Sequence, residues 1–169
     1  MFTSDHGGMM GSHHLWNKML FYEGSAKIPM IISPSKTLQD RVGYNRRDDR
    51  LVCQEDVMPT LLDLCDINIP TSVEGISMFG AQQREYLYSE FYEDQSATRS
   101  IRDGRYKLVY YPVGNRSQLF DLESDPDETV DQSKNTQYTE IKNKLTDIMI
   151  TNLYGINKPQ NRITQSLLD

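Results

Sequence analysis

The hydrophobic rhythm of the chain changes near its middle. In the first part, apolar positions come as short runs set among polar loops. Pro29-Met30-Ile31-Ile32-Ser33 is a brief apolar segment between turn residues, the form of a buried strand in an α/β sheet. Residues 36–50 are polar and read as a surface loop. Asp56 stands as the N-cap of a helix expected over 57–65, with Pro59 tolerated in its first turn and Leu61, Leu62 and Leu64 available for packing. Residues 28–66 are therefore expected to supply strand and helix of an α/β layer.

After Pro70 the pattern shortens. Residues 85–91, 98–102, 105–111 and 117–122 are segments rich in Tyr, Leu, Val and Ile, separated by turn signals, and predict a four-stranded antiparallel meander. Asp103-Gly104 is a hairpin signal, because both residue types accept the positive φ that tight turns use. Asp125-Pro126-Asp127 marks another turn. A helix follows over 138–153, where Ile141, Leu145, Ile148 and Met149 repeat at helical spacing, so it should cover one face of the meander. Residues 157–169 are weakly patterned, with a short helix ending at Leu167 and Leu168 as the expectation.

Composition narrows the function classes. The chain has 169 residues, enough for one ordinary domain but few for a complete two-layer hydrolase. A net charge of -6 without any basic run argues against a nucleic-acid partner. No stretch reaches the roughly 18 to 20 apolar residues of a membrane span, and no signal-like segment opens the chain. Cys53 and Cys65 have no ligand-like spacing and read as small buried hydrophobes. The chain meets a polar cluster within its first residues, as if it began on the end of a strand, and on that ground looks truncated.

That cluster is where the chemistry concentrates. Residues 4–18 hold all three histidines of the protein, together with Asp5 and Lys18, and Gly7, Gly8 and Gly11 suit a loop wrapped closely around a ligand. Adjacent Asp5 and His6 can reach one divalent cation if the backbone turns sharply between them. By spacing alone, the alternative of a loop-capping aspartate with surface histidines carries equal weight. Met9 and Met10 read as core more than as a cleft lining. Asn115-Arg116-Ser117 matches a glycosylation sequon, a short pattern of little weight by itself.

Family resemblance breaks the tie. Ser4-Asp5-His6-Gly7, followed by Gly11, His13, Leu15-Trp16, Lys18, Phe21-Tyr22-Glu23 and Ile28-Pro29-Met30-Ile31-Ile32, resembles the metal and sulfate motif of sulfatases. The likeness continues through Asp56-Val57-Met58-Pro59-Thr60-Leu61-Leu62-Asp63-Leu64 and Val73-Glu74-Gly75-Ile76-Ser77. It reaches the segments at 98–109 and 119–128, similar to the hairpin and Asp-Pro turn of the family's C-terminal subdomain.

The resemblance implies an α/β fold, the C-terminal part of an alkaline-phosphatase-like sulfatase, ending in a four-stranded antiparallel sheet with a covering helix. On that view residues 1–80 are the end of the catalytic α/β domain and 81–169 the antiparallel-sheet subdomain. It implies that Asp5 and His6 are metal ligands, with calcium the usual ion, that Lys18 binds the sulfate and helps neutralise the leaving oxygen, and that His13 adds a hydrogen bond to the sulfate or simply orders the loop. No Cys-X-Pro-X-Arg sequence occurs, so the formylglycine nucleophile and the paired N-terminal acidic ligands are not in these residues.

Three readings follow. The chain is the C-terminal fragment of a sulfuric ester hydrolase, inactive alone, whose partners are a sulfate ester and the missing N-terminal part of the same enzyme, with room for an oligomer. It is a phosphonate monoester or phosphodiester hydrolase of the same superfamily, since the Asp-His pair also resembles such members. Or it is a non-catalytic interaction module, against which the joint presence of Asp5, His6 and Lys18 argues. Substrate alcohol and compartment stay open.

Overall fold

A computed structural model describes residues 1–18, 20–92 and 97–154 of the chain, which divides into two units. The first comprises Met1–Lys18 and Tyr22–Leu87; the second joins Leu20 and Phe21 to the described residues from Tyr88 onward.

In the first unit, strand β1 (Phe2–Thr3) pairs antiparallel with β2 (Met30–Ile31), in the register Phe2 to Ile31 and Thr3 to Met30. Helix α1 (Glu23–Ala26) lies between them in sequence. The stretch expected to be plain surface loop at 36–50 contains a 3-10 turn (Lys36–Leu38) and helix α2 (Gln39–Val42). Burial of Val42 at 6 % exposure explains why an otherwise polar segment turns helical there.

Helix α3 (Val57–Leu64) forms as its apolar spacing suggests, but two details differ from expectation. Asp56 stands at its N-cap position, but its side chain makes no capping hydrogen bond to the helix. Its carboxylate, in a residue 1 % exposed, turns back into the unit and accepts from the amides of Cys53 (3.0 Å) and Ile76 (2.9 Å) and from Arg84 Nε (3.1 Å) and Nη2 (2.6 Å). Burial works to raise this carboxyl, but the Arg84 guanidinium and the two amides outweigh it and hold it below the ordinary carboxylate value.

The second difference is which side of α3 packs. Leu61 is 46 % exposed, whereas Pro59 and Thr60 are buried. The polar side of the helix docks because Thr60 Oγ1 accepts from the Met78 amide (2.9 Å) and Ser77 Oγ donates to Asp63. A Cβ at Gly75 would stand 1.9 Å from the Glu55 carbonyl oxygen, so this approach of backbone to backbone requires glycine. Cys65, at the end of α3, is exposed, and Cys53 is half-buried; both are free thiols, so the pair is not the buried one the sequence suggested.

The second unit carries a four-stranded antiparallel sheet in the order β3 (Leu87–Phe91), β4 (Thr98–Arg102), β5 (Tyr106–Tyr111), β6 (Arg116–Asp121), with helix α4 (Thr139–Tyr154) packed on β4 and β5. In register, Ile101 faces Leu108, which faces Leu119. These three are at most 2 % exposed, and Leu145 and Met149 of α4 are likewise buried. Each such side chain contributes on the order of 1.5–3 kcal/mol by leaving water. Tyr106, on the face of Leu108 by strand alternation, meets the ring of Tyr138 edge-on at 6.1 Å.

The β4–β5 hairpin forms where Asp103-Gly104 predicts it, by a different means. Asp103 Oδ1 accepts from the amides of Arg105 (2.9 Å) and Tyr106 (2.7 Å), and the Asp103 amide donates to the Tyr106 carbonyl (3.0 Å). Neither Asp103 nor Gly104 is among the positive-φ residues; the aspartate side chain replaces backbone permissiveness. Left-handed geometry appears instead in the next hairpin, at Gly114 (φ 81) and Asn115 (φ 48). The expected short helix at the C-terminal end falls outside the described residues.

Candidate metal and sulfate site

Asp5 and His6 come one residue beyond β1, after Ser4, at the end of the β1–β2 pair where β2 begins. Gln54 Nε2 donates to the Ser4 carbonyl (2.9 Å) and braces the backbone just before Asp5. Beyond His6 the chain makes a tight loop. The Gly7 amide donates to the Ser25 carbonyl (2.8 Å), and a Cβ at Gly7 would lie 2.2 Å from the Gly24 carbonyl oxygen, so only glycine passes here. The loop closes through the Met9 amide to the Asn17 carbonyl (3.3 Å) and the Gly11 amide to the Leu15 carbonyl (2.8 Å). That closure brings Lys18 back beside His6.

The loop is held in unusual backbone. Met10, Gly11, His13 and His14 all have positive φ, from 47° to 101°, a concentration of left-handed residues that costs energy in three non-glycine positions. Buried Met9, 2 % exposed, is the apolar anchor beneath it, the core role expected for that residue, while Met10 and Trp16 are 77 % and 72 % exposed.

Three functional groups converge. The His6 amide donates to Asp5 Oδ1 (3.0 Å), and His6 Nε2 lies 3.1 Å from Asp5 Oδ2. His6 Nδ1 is 2.7 Å from the Gly7 carbonyl, an acceptor only, so Nδ1 carries the proton and Nε2 presents its lone pair. Lys18 Nζ sits 2.5 Å from that Nε2. Asp5 is held below the ordinary carboxylate value, chiefly by the His6 amide, with the Lys18 charge adding to it. One carboxylate oxygen, one imidazole lone pair and one ammonium therefore meet in a small exposed volume.

His13 stands apart in role: its ring stacks on Tyr22 at 4.0 Å between centroids and 16° between planes, which orders the 3-10 turn Ser12–His14. Gln54, and behind it the Asp56–Arg84 pair, were not singled out by sequence reasoning. Their signal, a carboxylate and an arginine separated along the chain, acquires meaning only when both are seen buried together.

The donor set can be tested against a divalent cation. An anionic carboxylate and a tautomer-fixed imidazole suit one, and the Gly7 carbonyl acts as the outer partner that orients such a histidine. Among the described residues no group of three or more His, Cys, Asp and Glu side chains comes together. By themselves Asp5 and His6 offer such an ion one carboxylate and one imidazole.

Comparison with known proteins defines the class. The chain is 35% identical over 162 residues to an arylsulfatase of Clostridium perfringens, covering 92% of this chain and 33% of that protein. It is 34% identical over 149 residues to a choline-sulfatase of Rhizobium meliloti, covering 80% of this chain and 27% of the relative. It therefore spans about a third of the length of the curated relatives it matches. Among solved structures, a 2-O GAG sulfatase superposes with a TM-score of 0.76 at 29% identity, covering 89% of this chain and 35% of that one. A phosphonate monoester hydrolase of Agrobacterium radiobacter superposes at 0.74 with 24% identity, covering 89% and 34%, a likeness of fold.

Residues 11–154 match the family model described as N-sulphoglucosamine sulphohydrolase, C-terminal. The chain belongs to this sulfatase family, and its fold is that of the C-terminal portion, with the four-stranded sheet and the helix that follows it. No helix among its described residues is long and apolar enough to cross a membrane.

Proposed function

We propose that these residues form the C-terminal part of a sulfuric ester hydrolase, in which Asp5 and His6 hold a divalent cation, calcium being the ion the family resemblance favours, and Lys18 binds the sulfate next to the leaving oxygen. The observation that carries the reading is the meeting of Asp5 Oδ2, His6 Nε2 and Lys18 Nζ at 3.1 and 2.5 Å on a loop closed by backbone hydrogen bonds over buried Met9.

The chemistry follows from charge. Transfer of a sulfuryl group builds negative charge on the leaving oxygen, and preorganised positive groups lower that barrier. A bound cation would supply Lewis-acid stabilisation of the sulfate oxygens. Asp5 orients His6 by accepting from its backbone amide. His6 keeps its proton on Nδ1, so that Nε2 remains a donor of electron density. Lys18 offers its ammonium to the oxygen that departs. His13 holds the loop on Tyr22. The nucleophile, on this reading, comes from the remainder of the enzyme, as do most determinants of the alcohol. The sulfatase identities of relatives above 30% identity favour a sulfate over a phosphonate ester.

Two substitutions in the complete enzyme test the assignment. Asp5→Ala should weaken metal binding, and excess metal should restore part of the activity. Lys18→Ala should lower turnover on the order of 100- to 1000-fold without response to metal, and the loss should shrink for nitrophenyl sulfate, whose leaving group needs less help. Equal activity of Lys18→Ala and wild type on a sugar sulfate would overturn the role of Lys18.

A further inference from the structure

Two neighbouring methionines meet opposite fates on the loop that carries the site. Met9 is 2 % exposed and anchors the loop from beneath, while Met10 is 77 % exposed. Met10 also stands in left-handed backbone, φ 47, which a long apolar residue occupies at a cost. Glycine or asparagine would hold that backbone more cheaply, so the turn itself does not require methionine. Across the loop stands Trp16, 72 % exposed. The Met9 amide donates to the Asn17 carbonyl (3.3 Å) and the Gly11 amide to the Leu15 carbonyl (2.8 Å). These two bonds bracket Met10 and Trp16 as opposite positions on the two arms of the loop.

The pair lies next to the charged groups. Trp16 precedes Lys18 by two residues, and Gly8 follows His6 by two. Two residues of chain span at most about 7 Å. The Met10 side chain extends over Gly8, where a Cβ would stand 3.9 Å from both its Cγ and its Sδ. The thioether therefore lies on the arm that leads from His6, and the indole on the arm that ends at Lys18, whose Nζ is 2.5 Å from His6 Nε2. Single exposed apolar side chains are ordinary on a protein surface. Two large ones set opposite each other beside a charged site match the make-up of small-molecule sites, where a few polar groups fix one end of the ligand and apolar or aromatic walls receive the rest.

We propose that Met10 and Trp16 form the alcohol subsite of the sulfate ester, in which the flat face of a ring lies on the indole and against the thioether. The inference rests on the sulfate site proposed above and adds the class of alcohol to it. The sulfate is held by charge at Lys18; the ring is held by the broad apolar face of Trp16. Met10, unbranched and polarisable, follows rings of different outline. A pyranose seen from its C–H face and an arene seen from its π face present the same flat apolar surface. Both residues determine specificity, since they hold the part of the substrate that does not react.

The test compares ligands with and without a ring in the complete enzyme. Trp16→Ala should raise KM for a sugar sulfate and for nitrophenyl sulfate on the order of 10-fold, and the effect should fall on KM rather than kcat, because ground state and transition state lose the same contact. Inhibition by inorganic sulfate, which carries no alcohol, should keep its wild-type strength. Trp16→Phe should recover most of the lost affinity. Met10→Asn suits the left-handed backbone while removing the apolar side chain, and should raise the same KM values on the order of threefold. An effect on either ring ester supports the proposal, and the larger of the two tells sugar from arene. Equal weakening of inorganic sulfate and ring esters, as a tryptophan covered by the remainder of the enzyme would give, or unchanged KM for both esters, would overturn it. Should Trp16→Ala not fold, Met10→Asn decides by the same comparison. The two readings fail separately. If Lys18→Ala shows no dependence on the leaving group, the sulfate site falls and this inference with it; if Lys18→Ala shows it and Trp16→Ala leaves both KM values unchanged, this inference alone falls.

Discussion

Lys18 Nζ lies 2.5 Å from His6 Nε2, while the other ring nitrogen of His6 is committed to the Gly7 carbonyl at 2.7 Å. The backbone thus decides the tautomer, and the lysine meets the only lone pair that the ring has left. Nitrogen NMR of the His6 ring at neutral pH should show the proton on Nδ1. Finding the Nε2-protonated form would remove His6 as a ligand through Nε2.

The chain as given should not turn over aryl sulfates. It has no Cys-X-Pro-X-Arg sequence from which a formylglycine could be made, and Cys53 and Cys65 are free thiols outside such a setting. Burial raises the Cys53 thiol further from its reactive form, and the neighbouring Asp56 charge adds to that. Activity of rigorously purified chain that disappears in Lys18→Ala would contradict the fragment reading.

The Asp56–Arg84 pair is expected to be the most sensitive point of the first unit. Arg84→Met leaves a carboxylate that is 1 % exposed without its bidentate partner, at a cost on the order of 3–5 kcal/mol. Urea unfolding should show it. Because Gln54, which holds the Ser4 carbonyl, belongs to the same 3-10 turn as Asp56, loosening of the Asp5 backbone should accompany the loss.

Asp121 sets an acid limit. Arg105 donates to both of its oxygens, at 2.8 and 2.6 Å, and holds the carboxyl at about 2, below its ordinary 3.8. The folded value is depressed, so the stabilisation is fully present above about pH 4 and fades as pH falls towards 2. With Arg105 half-exposed and screened by solvent, the contribution is about 1–2 kcal/mol. Asp121→Asn should lower stability by that amount at neutral pH, and the gap to wild type should narrow below pH 4, as followed by denaturant titration across pH.

The β4–β5 turn separates two residue roles. Asp103→Ala removes the acceptor of two amides and should cost about 1 kcal/mol. Gly104→Ala should be nearly neutral, because Gly104 lacks positive φ and a Cβ there meets nothing within 4 Å. A large penalty for Gly104→Ala would mean that the turn needs glycine after all.

Period and spacing along the chain determined a good deal by themselves. The four strands of the sheet and the helix that follows them were legible because alternation and the i, i+4 repeat of Leu145 and Met149 are local properties written in neighbouring residues. The clustering of Asp5, His6 and Lys18 was legible for the same reason, since the loop that joins them is short. What only the tertiary structure decided is which polar groups go inside. Asp56 read as a helix cap because capping is the local use of an aspartate, yet it is buried by Arg84 and Ile76, neither of them a neighbour in sequence. Leu61 read as core and is exposed, because α3 docks through Thr60 and Asp63. The same holds for Lys107 and Glu128, which are both buried and meet as an ion pair within the sheet unit. A charged side chain is placed in the interior only by a partner that local pattern cannot name, since desolvation is repaid by contacts between residues far apart along the chain.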